Sequence, residues 1–475
     1  MRIVNGLLAL PGEPEPVPAD LLIHDGRIAS VTKRAGPRTP VTTTAGSPGD
    51  VFDARGMLVL PGAIDPHVHF NDPGYTERED FLHGTSAAAS GGVTTVIDMP
   101  CTSVPPVTSI KNLEIKLAAI GGQAVVDYGV YGGVRGRPAA AGEASASREA
   151  SAAGEADIDV AARCVRELAP SVLGFKCYFA SGMESFPRVT NYELASLLEV
   201  AREANRPVLL HAEDHDYVRG ATAAARARGS LPRDYHDSRP QPAETLAVLA
   251  ACELAAAAGA ELHIVHVSTA RAARLIAEAP HVTAETAPHY LAFSLSDFEV
   301  MGSALKVTPP VKPEPNREHL WRALADGLLD FAGSDHAPAP TAAKQTGSIW
   351  SDYAGIPGTG TLLPYLYSEG YARGRLSLER LLAVTSGNAA RRFGLHDRKG
   401  SIEPGMDGDL VVIDPAADWT VRGESFLSKG RLTPFEGHTF AGRVVATIVR
   451  GTVVYESGRG VVAPAGYGRL QRSCL

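Results

Sequence analysis

Six side chains in this chain have the types and spacing to hold metal ions: His67, His69, Lys176, His211, His266 and Asp335. His67-Val-His69 is an i,i+2 pair. On a β-strand both imidazoles point to the same side. Paired neutral imidazoles at the end of a strand suit zinc better than they suit an apolar core. His211 closes the run Pro207-Val-Leu-Leu-His211. In His263-Ile-Val-His266 the two histidines lie three apart and face opposite sides of a strand. His266, nearer the strand's C-terminal end, is the better ligand, and His263 reads as structural. Asp335 ends Phe331-Ala-Gly-Ser-Asp335. A carboxylate there can bind a metal and also take and give a proton. Lys176 lies in the apolar run Val172-Leu-Gly-Phe-Lys-Cys-Tyr-Phe179. An ammonium there is costly unless paired or neutralised. Two readings stand. Either the lysine snorkels from a strand edge, or carbon dioxide carboxylates it to an anion able to bridge two metal ions.

These residues need a frame that brings strand ends together. Eight apolar strands are expected in the middle of the chain: 63–69, 93–98, 124–131, 172–178, 207–211, 262–266, 281–285 and 328–335. Helical stretches separate them, among them 191–204, 243–258, 270–279 and 317–325. Eight strands alternating with helices predict an α/β fold, a (β/α)8 barrel whose active site sits at the C-terminal strand ends. All six candidate ligands fall at such ends. No Gly-rich phosphate fingerprint follows the first strand, which disfavours an open doubly wound sheet.

Short strand-like runs at both termini predict a second, smaller β domain built from residues 1–60 and 395–475, a β-sandwich beside the barrel of residues 61–394. Asp25-Gly26 reads as its hairpin turn. Residues 135–158 are rich in Ala, Gly, Ser and Glu and break the barrel's rhythm. They read as a mobile insertion on the active-site side, either a solvated loop or a substrate lid.

The bulk numbers exclude several classes. With 475 residues the chain is long enough for a barrel and a minor domain. A net charge of −8 and the absence of a basic run argue against a nucleic-acid partner. No apolar run is long enough for a transmembrane helix, and no secretory signal is read at the N-terminus, so no membrane partner is expected. Five scattered cysteines argue against a disulfide framework and for a reduced, cytoplasmic protein.

The motifs in order resemble those of the cyclic amidohydrolases: hydantoinase, allantoinase, dihydropyrimidinase and dihydroorotase. The resemblance runs from Asp65-Pro-His-Val-His69 and Gly91-Gly-Val-Thr-Thr95 through Gly174-Phe-Lys176, His211-Ala-Glu213 and Ser238-Arg-Pro240. It continues through His263-Ile-Val-His-Val-Ser268, Glu285-Thr-Ala-Pro-His-Tyr290, Thr308-Pro-Pro310 and Ser334-Asp-His336 to Gly405-Met-Asp-Gly-Asp-Leu410. It implies two divalent ions, zinc in the first instance, although the same ligands suit Mn, Co or Fe. His67, His69 and Asp335 would hold one ion, His211 and His266 the other, and carboxylated Lys176 both. It implies that a bridging hydroxide attacks the ring carbonyl while Asp335 takes the proton and passes it to the leaving nitrogen. It also implies a homodimer or homotetramer.

The substrate-facing positions inferred from this resemblance are Asn71, Cys101, Ser181 and Thr308. Family dihydroorotases grip a substrate carboxylate with an Arg after His-x-His, an Asn in Met-Pro-Asn-Thr and a second His after the strand-8 Asp-His. This chain has Asn71, Cys101 and Ala339 in those places. Family dihydropyrimidinases and D-hydantoinases place a Tyr five residues after the metal lysine, where this chain has Ser181. Allantoinases and L-hydantoinases are the more similar, notably at Asp127-Tyr-Gly-Val-Tyr-Gly-Gly133 and Thr433-Pro-Phe-Glu-Gly437. The expectation is hydrolysis of a neutral hydantoin or allantoin ring. Dihydroorotase and dihydropyrimidinase are the alternatives, and a non-catalytic scaffold of the same fold is the alternative from another class.

Overall fold

A computed structural model describes residues 1–34, 51–136 and 160–475. All but the first two residues of the expected 135–158 insertion lie outside the described residues. The N-terminal segment forms β1 (Arg2–Leu8), β2 (Val17–His24), β3 (Arg27–Lys33), β4 (Val51–Asp53) and β5 (Leu58–Pro61). The middle forms β6 (Ala63–Val68), β7 (Val93–Asp98), β8 (Asp127–Val130), β9 (Gly132–Gly133), β10 (Phe175–Tyr178), β11 (Val208–His211), β12 (Leu262–Ile264), β13 (Val282–Thr286) and β14 (Phe331–Ala332). The C-terminal segment adds β15 (Leu410–Thr420), β16 (Thr439–Val449), β17 (Thr452–Glu456) and β18 (Gly460–Val461).

Both chain ends share one sheet, in the order β18-β17-β16-β15-β5-β1-β2-β3, with β4 beside β1. Its alternating apolar residues meet in a separate core that includes Ile3, Leu8, Ile23, Val59, Leu410, Val412 and Ile448. The β2–β3 hairpin turns at Asp25 (φ 49°) and Gly26 (φ 79°). Two successive left-handed residues match the right-handed twist of the strands they join, which is why Asp-Gly serves there. β5 pairs with β15 and β1, and only Gly62 separates it from β6. The small sheet is thereby tied directly to the first barrel strand.

The barrel strands run parallel. β6, β7 and β8 pair in order, and β9 through β14 pair in order. β8 and β9 are one strand interrupted at Tyr131. β9 consists of glycines because the next strand presses close. A Cβ on Gly132 would lie 2.8 Å from the Phe175 ring. Closure comes from the parallel bridge Val68↔His336 and from His69 N–H donating to the His336 carbonyl at 2.8 Å. Eight strands result, the expected (β/α)8 barrel, with the sheet built from both chain ends joined to its first strand. Ile64, Ile97, Tyr131, Leu173, Leu209, Phe331 and Phe393 pack in the same buried cluster.

The outer helices follow from their periodicity. Asn191–Glu203 buries Leu194, Leu197, Leu198 and Ala201, one stripe at 3.6-residue spacing, and opens with a Thr190/Glu193 capping box. Gln241–Ala258 buries Ala243, Ala247, Val248, Ala251 and Ala255 on one face and stops at left-handed Gly259.

Two barrel strands stop at least two residues short of their expected C-terminal ends. β12 ends before His266, and β14 ends before Asp335. His266 (φ 40°) and Asp335 (φ 49°) adopt the left-handed backbone, which no strand accommodates. Such non-glycine residues cost about 1–3 kcal/mol each and concentrate at functional sites.

Candidate metal centre and active site

The strand ends bring the candidate ligands together. His67 Nε2 lies 3.3 Å and His69 Nε2 3.6 Å from Asp335 Oδ1. These three residues form a group whose donor atoms all lie within 4.8 Å of one another. His211 Nδ1 and His266 Nε2 meet at 2.9 Å. The His67 ring centroid is 5.4 Å from those of both His69 and His266, so the two sets share one wall. Lys176 is fully buried, and its Nζ has no hydrogen-bond partner among the described residues. It sits 4.7 Å from the Tyr178 ring, which in turn stacks on His211.

The outer ring nitrogens set which atom of each histidine faces inward. His67 Nδ1 contacts Glu285. His211 Nε2 contacts Glu213 at 2.8 Å, and Arg239 pairs with the same carboxylate. His69 Nδ1 lies 3.7 Å from Cys101 Sγ and 3.5 Å from Thr102 Oγ1. Carboxylates behind imidazoles fix the tautomer and make the inner nitrogen a better donor to a metal. Burial opposes ionisation of both glutamates. Arg239 outweighs it at Glu213 and His67 at Glu285, and both carboxyls are held down to about 2.

His211, His266 and Asp335 carry the charge states a metal centre needs, whereas at His69 burial is outweighed by Cys101 and Asp335, which push the imidazole up to about 10. Burial drives the His266 imidazole well below its usual pKa, and His211 adds to the effect. His211 is lowered chiefly by burial too. Both are neutral at pH 7 and keep a lone pair. Burial resists ionisation of Asp335, yet His67, His69 and His266 hold its carboxyl well below the carboxylate range. Burial pushes the Lys176 ammonium down to about 8, only partly offset by Cys101, Glu285 and Asp335. A fraction of this amine is therefore uncharged near neutral pH, the form that adds carbon dioxide.

Buried polar atoms normally find partners. Here Asn71 Oδ1, Lys176 Nζ, His266 Nδ1 and His289 Nε2 do not. Asn71, in a left-handed conformation (φ 58°), donates through Nδ2 to the His69 carbonyl. Cys101 Sγ lies 3.0 Å from the Tyr178 hydroxyl. Ser181 is otherwise engaged: its hydroxyl donates to the Phe186 carbonyl at 2.7 Å and accepts from Met183 N–H. Thr308 bonds to Tyr235, not to a ligand residue. A cavity of about 300 Å³ lies elsewhere, lined by Ala87, His336, Pro364, Trp419, Phe426 and Tyr455. It contains none of the six clustered groups, and the donor chemistry carries more weight than the size of a void.

Residues 58–454 match the model of the Amidohydrolase family. The chain belongs to this family. It is metal-dependent, and the His67–His69–Asp335 group is of the kind it requires. The chain is 39% identical to an allantoinase of Rubrobacter xylanophilus, covering 96% of this chain and 94% of that protein. It is 36% identical to an allantoinase of Deinococcus radiodurans, covering 96% and 95%. Among solved structures, the L-hydantoinase of Arthrobacter aurescens superposes with a TM-score of 0.88 at 30% identity and 99% coverage of both chains.

Four site residues of this amidohydrolase were not singled out from the sequence: Glu213, Glu285, Tyr178 and His289. Glu213, Glu285 and His289 fall within the motifs that carry the resemblance, and Glu213 and Tyr178 had a further signal in their spacing. Glu213 follows His211, and Tyr178 follows Lys176, at the i,i+2 spacing that made His67 and His69 legible. Glu285 stands at the end of an expected strand but carries no spacing to His67, 218 residues away. His289 lies on the short helix Pro288–Ala292, where strand periodicity says nothing.

Proposed function

We propose that this amidohydrolase opens the ring of a neutral cyclic ureide, allantoin or a hydantoin, with His67, His69, Lys176, His211, His266 and Asp335 holding two divalent ions. The convergence of four imidazoles and a carboxylate around an unpartnered buried amine carries this reading. The names of the relatives, allantoinases and an L-hydantoinase, support the substrate class. Zinc suits the imidazole-rich donor set best.

The residues fit the metals on structural grounds. The inward nitrogens of His67, His69, His211 and His266 carry lone pairs once Glu285 and Glu213 take the outer N–H groups of His67 and His211. Lys176, bare and partly deprotonated, adds carbon dioxide through its amine, forms a carbamate N–C bond and releases one proton. When bound, two such ions lower the pKa of water and polarise a ring carbonyl. Asp335, ionised, accepts the proton of the attacking water. It returns that proton to the ring nitrogen as the C–N bond breaks. The products are a carboxylate and an amide N–H₂ on one opened chain.

Discrimination against dihydroorotate follows from missing charge. Asn71 spends its amide N–H on the His69 carbonyl, Cys101 faces Tyr178, and Ala339 is buried. None of the three offers a cation to a substrate carboxylate. A turnover panel of metal-loaded protein with allantoin, hydantoins, dihydrouracil and dihydroorotate tests this reading. Inactivity on every cyclic amide by protein holding two ions per chain would sink it. We further propose a cytoplasmic homodimer or homotetramer. All five cysteines are free, which fits a reducing compartment, and light scattering would read the assembly.

A further inference from the structure

We infer that His289 is a substrate-contacting residue, meeting the polar C=O/N–H edge of the ureide ring on the Asp335 side of the centre. This rests on the hydrolase reading above. His289 lies on the helix Pro288–Ala292, just past the C-terminal end of β13, at the barrel mouth. Its side chain is 1% exposed, and Nε2 meets no hydrogen-bonding group among the described residues.

The neighbouring imidazoles are treated differently. His67 has Glu285, His211 has Glu213, and His69 has Cys101 and Thr102. His336, next to Asp335 in the chain, has Glu79 on Nε2 and the Gly358 and Thr359 N–H groups on Nδ1. His266 keeps a bare Nδ1, but its Nε2 faces His211. A buried polar atom left without a protein partner calls for a partner from outside the chain.

The place of that partner follows from the surroundings. The charged groups acting on the His289 ring are Asp335 and His67. The helix carrying it is pinned. Tyr290 donates to the Pro309 carbonyl at 2.8 Å, Trp321 Nε1 donates to the Leu291 carbonyl at 2.9 Å, and Phe293 N–H donates to the His289 carbonyl at 3.1 Å. The helix that carries the ring is thus held just past the end of β13. An imidazole carrying no charge presents one N–H and one lone pair. According to the tautomer, Nε2 donates to the C=O of an amide edge or accepts from its N–H.

The test uses metal-loaded His289→Ala and His289→Asn proteins. For each, ions per chain and kcat and KM for the best cyclic amide of the panel are measured, with and without added imidazole. Calorimetry of hydantoin binding is run on Asp335→Asn and on Asp335→Asn/His289→Ala. We expect two ions per chain in the His289 variants and kcat/KM down about 10–100-fold in His289→Ala, the scale of one lost hydrogen bond. A smaller loss is expected in His289→Asn, with partial rescue of the Ala variant by imidazole and weaker hydantoin binding in the double variant. Should His289→Ala fail to fold, the Asn variant and a His289→Gln variant carry the comparison. Unchanged kcat/KM and unchanged hydantoin affinity overturn the inference, and so does the loss of an ion, which would make His289 a ligand. A wild type inactive on all cyclic amides defeats the functional reading, whereas an active wild type with an unaltered His289→Ala defeats this inference alone.

Discussion

A lysine ammonium among four imidazoles would repel the cations they are arranged to hold. Among the described residues Lys176 Nζ meets no hydrogen-bonding partner, and the proposed carboxylation would turn its positive charge into a negative one. Lys176→Ala is expected to lose most bound metal and activity, and short carboxylic acids should restore part of both by supplying a bridging anion. Full activity in that variant would end the bridging role. Asp335 separates binding from proton transfer. Asp335→Asn should keep part of the metal, because His67 and His69 remain. Turnover should fall by about 10²–10⁴, the range for a general acid-base group. Wild-type turnover would remove it from the proton path. The six candidate ligands were legible because each lies within or at the end of a strand-like apolar run. The left-handed backbone of His266, Asp335 and Asn71 was not, since only tertiary packing holds a non-glycine residue there.

At the scale of elements, β13 shows what pattern reading reaches and where it stops. The strand was expected at 281–285 and runs Val282–Thr286. Yet its most consequential residue, Glu285, earns its role by touching His67 across the barrel, a contact set by closure and not by period. Its loss is testable. Glu285→Gln should weaken metal affinity about 10–100-fold, the usual effect of removing a carboxylate behind a histidine ligand. Competition with a chelator of known affinity reads it, and an unchanged competition curve would show the carboxylate to be idle. The hairpin at Asp25-Gly26 and the helices at 191–203 and 241–258 were legible within two residues, because turn chemistry and amphipathic spacing are local. β14 was expected at 328–335 and is only Phe331–Ala332, because the chain leaves the strand early to aim Asp335.

Across the whole molecule, one buried ion network ties the barrel to the small sheet. Lys399 Nζ lies 2.8 Å from Asp127 of β8, 2.6 Å from Asp409 and 3.4 Å from Asp407, while Arg450 also pairs with Asp127. Removing one partner of such a set leaves uncompensated buried carboxylates, at about 3–5 kcal/mol. Lys399→Met should lower the denaturation midpoint accordingly while metal content per folded chain is unchanged, and an unaltered midpoint would show the network to be energetically neutral. The two-ended sheet was legible as a whole because both termini carry strand patterns. The network was not, since its members are 272 and 10 residues apart in sequence.

Turnover of allantoin and hydantoin by one preparation, before and after metal removal, tests whether bound metal opens a neutral ureide ring here. Protein stripped by a chelator should be inactive, and two zinc ions per chain should restore activity. The kcat/KM for allantoin or a hydantoin should exceed that for dihydroorotate at least about tenfold, or about 1.4 kcal/mol in transition-state binding. Full turnover by stripped protein, or a preference for dihydroorotate, would overturn the proposed function.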